Sequence, residues 1–342
     1  MTRLDNYRSA LLAVFPEISD ATLSGALDAG GAHFVSFIVD HGLGPLWHAR
    51  TGRAEFHASR MSAEALYLAQ EHALIDIGAV LDSAGIEFVI FKGAANRLLL
   101  NENPAIRACH DIDLLVRPED RVQTTFALVD AGFIASPAAY SISVELLLSR
   151  DVVDIDLHWR LLREGRLRSM CVAEMLGRRR ENEIWMLYAE DALFVLLVHP
   201  ALAKHLAGWE MGLHRVADIV AWLRSQSFDW PTVRDRLEQN GVRTAAWATL
   251  RWVEMLTHPH EPAGLDTMIS ELRPGRLRRE WLDWWLRNDL SARLSAFHWS
   301  RLLGLSLFLH DTVGDAVRAV AGRQRARRRR TADLAAFRDL PG

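Results

Sequence analysis

Three short stretches of this chain carry side chains whose types and spacing suit metal-assisted chemistry on a phosphate. The first is Asp111-Ile112-Asp113, which opens the apolar run Leu114-Leu115-Val116 and reads with it as a β-strand. Successive side chains of a strand alternate faces, so Asp111 and Asp113 share one face while Ile112 enters the core. Two carboxylates side by side repel unless a cation occupies the gap. Magnesium, a hard ion that prefers oxygen ligands, suits such a gap. An isolated Asp-x-Asp is more often a solvated strand face, so its surroundings decide.

Upstream, Phe91-Lys92-Gly93 ends a β-forming run over 87–92 and opens a helix over 94–100. A glycine there allows backbone to approach a phosphate, and a helix N-terminus favours an anion. Lys92 adds a positive charge. Arg107 lies four residues before Asp111, where its guanidinium could meet a phosphate oxygen. Downstream, Asp154-Ile155-Asp156 repeats the tripeptide in a later strand over 151–157, and either acid could be a third ligand. This order of parts would serve two-metal phosphoryl chemistry.

The elements that position these residues follow from periodicity. Segments 7–14, 21–27 and 58–83 show helical spacing of apolar residues. Residues 85–157 alternate strand, helix, strand, helix, strand, a small α/β core. From 186 the pattern is helical again, with a break or kink expected at Pro200 and Asp229 as N-cap of the helix at Trp230-Pro231. The expected organisation is a helical region over 1–84, the α/β core over 85–185, and a helical domain over 186–342. Six arginines fall within 323–330. They read as a solvated or frayed helix, with an acidic partner or RNA as the sharper alternative.

Of forty basic residues only two are lysines, Lys92 and Lys204. Where arginine has filled nearly every basic position, a surviving lysine is a candidate for a place that wants a compact, strongly hydrated charge, against chance survival. A net charge of −3 argues against a surface built throughout to coat nucleic acid. No run of 18 apolar residues exists, so no membrane-spanning helix is expected. The start of the chain lacks a signal-peptide pattern, and two cysteines are too few for a disulfide framework. A cytoplasmic protein is the expectation. Cys109 has no evident base, His199 and His205 are six apart rather than three or four, and Trp159, Trp222, Trp252 and Trp285 read as core.

Taken together, Phe91-Lys92-Gly93, Arg107-x3-Asp111-Ile112-Asp113-Leu114-Leu115-Val116 and Ile155-Asp156-Leu157-His158-Trp159-Arg160 resemble the uncharacterised nucleotidyltransferase family of the polymerase-beta-type superfamily. The likeness continues through His199, Lys204-His205 and Arg215-x2-Asp218-Ile219. It implies an α+β fold, a small mixed sheet with helical segments before and behind it. It also implies transfer of a nucleoside monophosphate from an NTP with two Mg2+ ions. By resemblance Asp111, Asp113 and Asp156 are the catalytic metal ligands, with Asp154 the rival third acid. Lys92, Gly93, Arg107 and Lys204 fall to the nucleotide, and His158 and Arg160 to the acceptor side.

One departure stands out. The superfamily usually has Gly-Ser after the first strand, whereas Gly93 is followed by Ala94, and the acids come later than usual. The acceptor, whether peptide, protein, small molecule or tRNA, is left open, as is the preferred base. A toxin-type tRNA nucleotidyltransferase, a phosphoryl rather than nucleotidyl transferase, and a non-catalytic nucleotide-binding scaffold are the alternatives. A scaffold would have no use for all three acids.

Overall fold

The computed structural model describes residues 3–136, 144–181, 184–206, 212–225, 227–294, 296 and 302–337. Its centre is a seven-stranded mixed sheet of order β3-β4-β5-β2-β1-β7-β6. The strands are β1 (Phe88–Phe91), β2 (Asp111–Val116), β3 (Ile134–Ser136), β4 (Glu145–Arg150), β5 (Val153–His158), β6 (Arg180–Glu181) and β7 (Trp185–Met186). β1 runs antiparallel to β2, and β2 runs parallel to β5. The expected α+β class with a small mixed sheet is what the chain forms.

Strand alternation divides the sheet into two faces. Ile112, Leu114 and Val116 of β2, with Ile155 and Leu157 of β5, are buried on one face. They pack against Ala73, Leu74, Ile77 and Leu81 of the long helix α4 (His57–Ser83). Each such aliphatic side chain contributes roughly 1.5–3 kcal/mol when taken fully out of water. Asp111 and Asp113 occupy the opposite face, as the alternation requires. There Leu115, Val89 and Phe91 join a second core with the N-terminal and C-terminal helices.

That second core mixes both ends of the chain. Tyr7 of α1 (Arg3–Leu11) meets Trp252 edge-on at 6.2 Å, and its hydroxyl donates to Asp289 at 3.4 Å. Trp222 and Trp252 are each 1 % exposed, so the tryptophans read as core are core. Of the break or kink expected at Pro200, the break does not occur there. Pro200 lies inside the helix Ala189–Leu202, which stops two residues later. Asp229 caps the helix Trp230–Gln239, accepting from the Thr232 amide at 3.1 Å.

The arginine-rich tail is a solvated rather than a frayed helix, with Arg325, Arg327, Arg328, Arg329 and Arg330 exposed and Arg323 half-buried. It forms the second half of the helix Val313–Ala335, which starts with a capping box between Thr312 and Asp315. Arg168 grips Asp315 with two hydrogen bonds of 2.9 and 2.8 Å. Glycines let the helix lie directly on a loop. A Cβ on Gly322 would fall 2.0 Å from the Glu164 carbonyl oxygen, and one on Gly165 would fall 2.3 Å from that of Arg318. Backbone therefore touches backbone at this crossing. No helix among the described residues is long and apolar enough to cross a membrane.

Candidate active site

The site forms where β1 ends beside the starts of two parallel strands. In register, Asp111 faces Asp154, Asp113 faces Asp156, and Leu115 faces His158. Phe91, the last residue of β1, is the antiparallel partner of Asp113. The next residue, Lys92, starts the helix α5 (Lys92–Leu100) at φ 52°, in the left-handed region that costs a non-glycine residue about 1–2 kcal/mol. This turn delivers the lysine to the acid beside it. Lys92 Nζ donates to Asp113 Oδ1 at 2.6 Å and lies 3.2 Å from His158 Nε2.

His158 completes the arrangement. Its Nε2 is 2.9 Å from Asp113 Oδ1, its Nδ1 is 3.3 Å from Glu145 Oε2, and the Phe91 ring packs edge-on against it at 5.2 Å. Asp113, Asp156 and His158 offer ligand atoms all within 4.8 Å of one another. Asp111 shares their face but stands outside this tight group. Asp154, the rival third acid, is exposed and accepts from Ser149 Oγ at 2.7 Å, whereas Asp156 belongs to the group.

The electrostatics separate the two central acids. Burial would raise the Asp113 carboxyl, but Lys92 and His158 outweigh it and hold it well below the usual range. Among the described residues Asp156 has no ammonium bonded to it as Asp113 has. Burial, with Asp113, Asp111 and Glu145 nearby, pushes it up to about 6 despite His158. An unrelieved carboxylate beside a second one, with further oxygen donors at hand, is a fitting donor set for a hard divalent cation.

Two cations, Lys204 and Arg215, face these acids with the imidazole of His199 beside them. His199 lies in the helix Ala189–Leu202, Lys204 just beyond it, and Arg215 in the helix Leu213–Ser225. Burial first, then Lys92, Arg215 and Lys204, hold His199 well below its ordinary value. Lys204 is lowered by burial and then by Arg215 and Lys92. Positive charges crowded this closely suit an anion with several charged oxygens.

Arg107 sits differently from a residue reaching for substrate. It is bound by Asp218 through bonds of 3.1 and 2.7 Å, both side chains being under a tenth exposed. Asp218 also accepts from Asn96 at 3.0 Å, and Trp222 donates to Asn96 at 3.0 Å. This network ties α5 and the loop before β2 to the helix Leu213–Ser225. Gly93 is explained by the same packing, because a Cβ there would come within 2.9 Å of both Arg107 Nη1 and Cys109 Sγ. Arg160 points to a neighbouring groove, donating to Met170 Sδ at 3.2 Å.

Beyond Glu145 and His158 the site opens into a cavity of about 410 Å3, walled by Lys204, His199 and the helix Val313–Ala335. Sequence reasoning missed Asp218 as the partner of Arg107, Glu145 behind His158, and this far wall. The first two depend on pairings between distant segments that carry no local signal.

A mixed sheet with acids paired across two parallel strands, opposite a cationic helical wall, defines a nucleotidyltransferase-type α+β protein. The chain belongs to the uncharacterised nucleotidyltransferase family, whose model matches residues 38–258. No curated protein matches it.

Proposed function

We propose that this chain transfers a nucleoside monophosphate from an NTP to an acceptor hydroxyl, using two Mg2+ ions held by Asp111, Asp113 and Asp156. The observation that carries this reading is the register pairing of Asp113 with Asp156, beside Asp111 and opposite Lys92, Lys204 and Arg215. The ions, when bound, neutralise the triphosphate and lower the pKa of the attacking hydroxyl.

The chain's own residues do the positioning. Lys92 and Lys204 hold the triphosphate, and the backbone at Gly93 lets it lie close to the start of α5. Arg107 acts through Asp218 as a positioning residue, fixing the strand that presents the acids. His158 faces the acceptor side, with Glu145 Oε2 3.3 Å from its Nδ1, whereas Arg160, turned into the neighbouring groove, is given no part. The acceptor oxygen bonds to the α-phosphorus, the bond to the bridging oxygen breaks, and pyrophosphate leaves. Catalysis is positioning and charge stabilisation.

The test is incubation with labelled NTPs and Mg2+, comparing the native chain with Asp113→Asn. Pyrophosphate release by the native chain alone is expected, and equal turnover by both would remove the reading. ADP instead of pyrophosphate would indicate phosphoryl transfer, and nucleotide binding without turnover a scaffold.

A further inference from the structure

The cavity beside the acids has two chemically distinct ends. Near β5 it is lined by Glu145, His158 and His199, whereas its far end carries Arg163, Arg166, Arg323 and Arg327. Glu145 is the one carboxylate among its described lining residues.

The far end is built rather than incidental. Arg323 and Arg327 are one turn apart on the face of the helix Val313–Ala335 that also presents Ala316, Ala319 and Val320 to the cavity. Arg325 and Arg329 point elsewhere and pair with Glu164. The Gly165–Gly322 crossing and the Arg168–Asp315 bonds fix which face looks inward. Arg166 is held by donation from its Nη1 to the Leu202 carbonyl. Burial, Arg163 and Arg323 press its pKa down to about 10. His310, 3 % exposed, also lines the cavity, and its Nδ1 has no hydrogen-bond partner among the described residues.

We propose that Arg163, Arg166, Arg323 and Arg327 form a phosphate-binding subsite at the far end of this cavity, separate from the metal-ligand acids. Planar guanidinium forks match phosphate oxygens in pairs, and a half-enclosed cluster of them favours a phosphate monoester or diester over a carboxylate. Two sources share this chemistry, the phosphates of the donor NTP and a phosphate carried by the acceptor. Assigning the group to a transfer substrate rests on the nucleotidyl-transfer reading, whereas phosphate binding does not.

The experiment is calorimetric titration of the full chain. Pyrophosphate is titrated in metal-free buffer, and α,β-methylene ATP in Mg2+. Arg323→Gln/Arg327→Gln is expected to weaken pyrophosphate binding at least tenfold, with helix content unchanged. Arg325→Gln/Arg329→Gln, which changes the charge equally on the other face, is expected to leave it within twofold. Equal affinity in the native chain and the inward-facing variant, or equal loss in both variants, would overturn the subsite. A parallel fall in analogue affinity assigns the phosphate to the donor, and an unchanged analogue affinity assigns it to the acceptor. Asp113→Asn is expected not to weaken pyrophosphate binding. Intact phosphate binding in a chain that never releases pyrophosphate from NTP would sink the transfer reaction and leave the subsite standing.

Discussion

Asp113 and Asp156 are register partners on adjacent parallel strands, yet their proton affinities are driven in opposite directions. Lys92 accounts for much of the difference, since it bonds to Asp113 and not to Asp156. The ammonium stands where a divalent cation would also be attracted, so the two are expected to compete.

Lys92→Met tests that competition. Asp113 would be left buried without its strongest counter-charge, and breaking a buried pair costs about 3–5 kcal/mol. A lower urea midpoint is expected in metal-free buffer, with partial recovery on adding Mn2+. Lys92→Arg should fare only slightly better, because a planar fork replaces a point charge at a left-handed backbone position.

Divalent-ion affinity should depend on pH through Asp156. Its carboxyl takes a proton at about 6, so below that pH the proton must leave before the ion binds. Mn2+ affinity, measured by calorimetry, is expected to fall about tenfold per pH unit below 6. Asp156→Asn should weaken binding overall and flatten this dependence. The metal-free fold has the opposite sign. A carboxyl raised above its ordinary 3.8 contributes fully below that value and loses its contribution as pH rises through about 6. The ion should therefore stabilise the fold most above pH 6.

Arg107 and Asp218 should behave as one unit. Either alanine substitution leaves a buried charge unpaired and is expected to cost about 3–5 kcal/mol. The double variant should lose less than the sum of the two, with a coupling of about 1–3 kcal/mol in urea unfolding. Strict additivity would contradict the pairing.

Gly93→Ala is expected to destabilise by about 1–3 kcal/mol, because the added methyl meets Arg107 and Cys109. If the glycine also admits a phosphate, as proposed, NTP affinity should fall beyond what the stability loss explains. Calorimetry at a temperature where the variant is fully folded separates the two effects.

Much of the centre was legible because its signals are local. Alternation alone placed Asp111 and Asp113 on one face, with Ile112 beneath, and the strand expected at 151–157 differs from β5 by two residues at its start and one at its end. The choice between Asp154 and Asp156 was not legible from spacing, because it depends on strand register. The resemblance favoured Asp156, and the ligand group includes it. The Arg107–Asp218 bond joins residues 111 positions apart, and nothing near either one announces it. β3, β6 and β7 are two or three residues long, too short for a period to show. The arginine run read as a solvated helix and is one, but composition could not show that Arg323 is half-buried or which helix face rests on the Glu164 loop.

The crossing at Gly165 and Gly322 has a consequence for how such a protein can be re-engineered. The acids come from two neighbouring strands within the family-matched span, whereas the helix pressed onto the Glu164 loop lies after it. The proposed subsite thus draws Arg163 and Arg166 from the matched span and Arg323 and Arg327 from the helix beyond it. Recoding the inward positions of that helix, with both glycines kept, would alter the proposed subsite while leaving Asp111, Asp113 and Asp156 untouched.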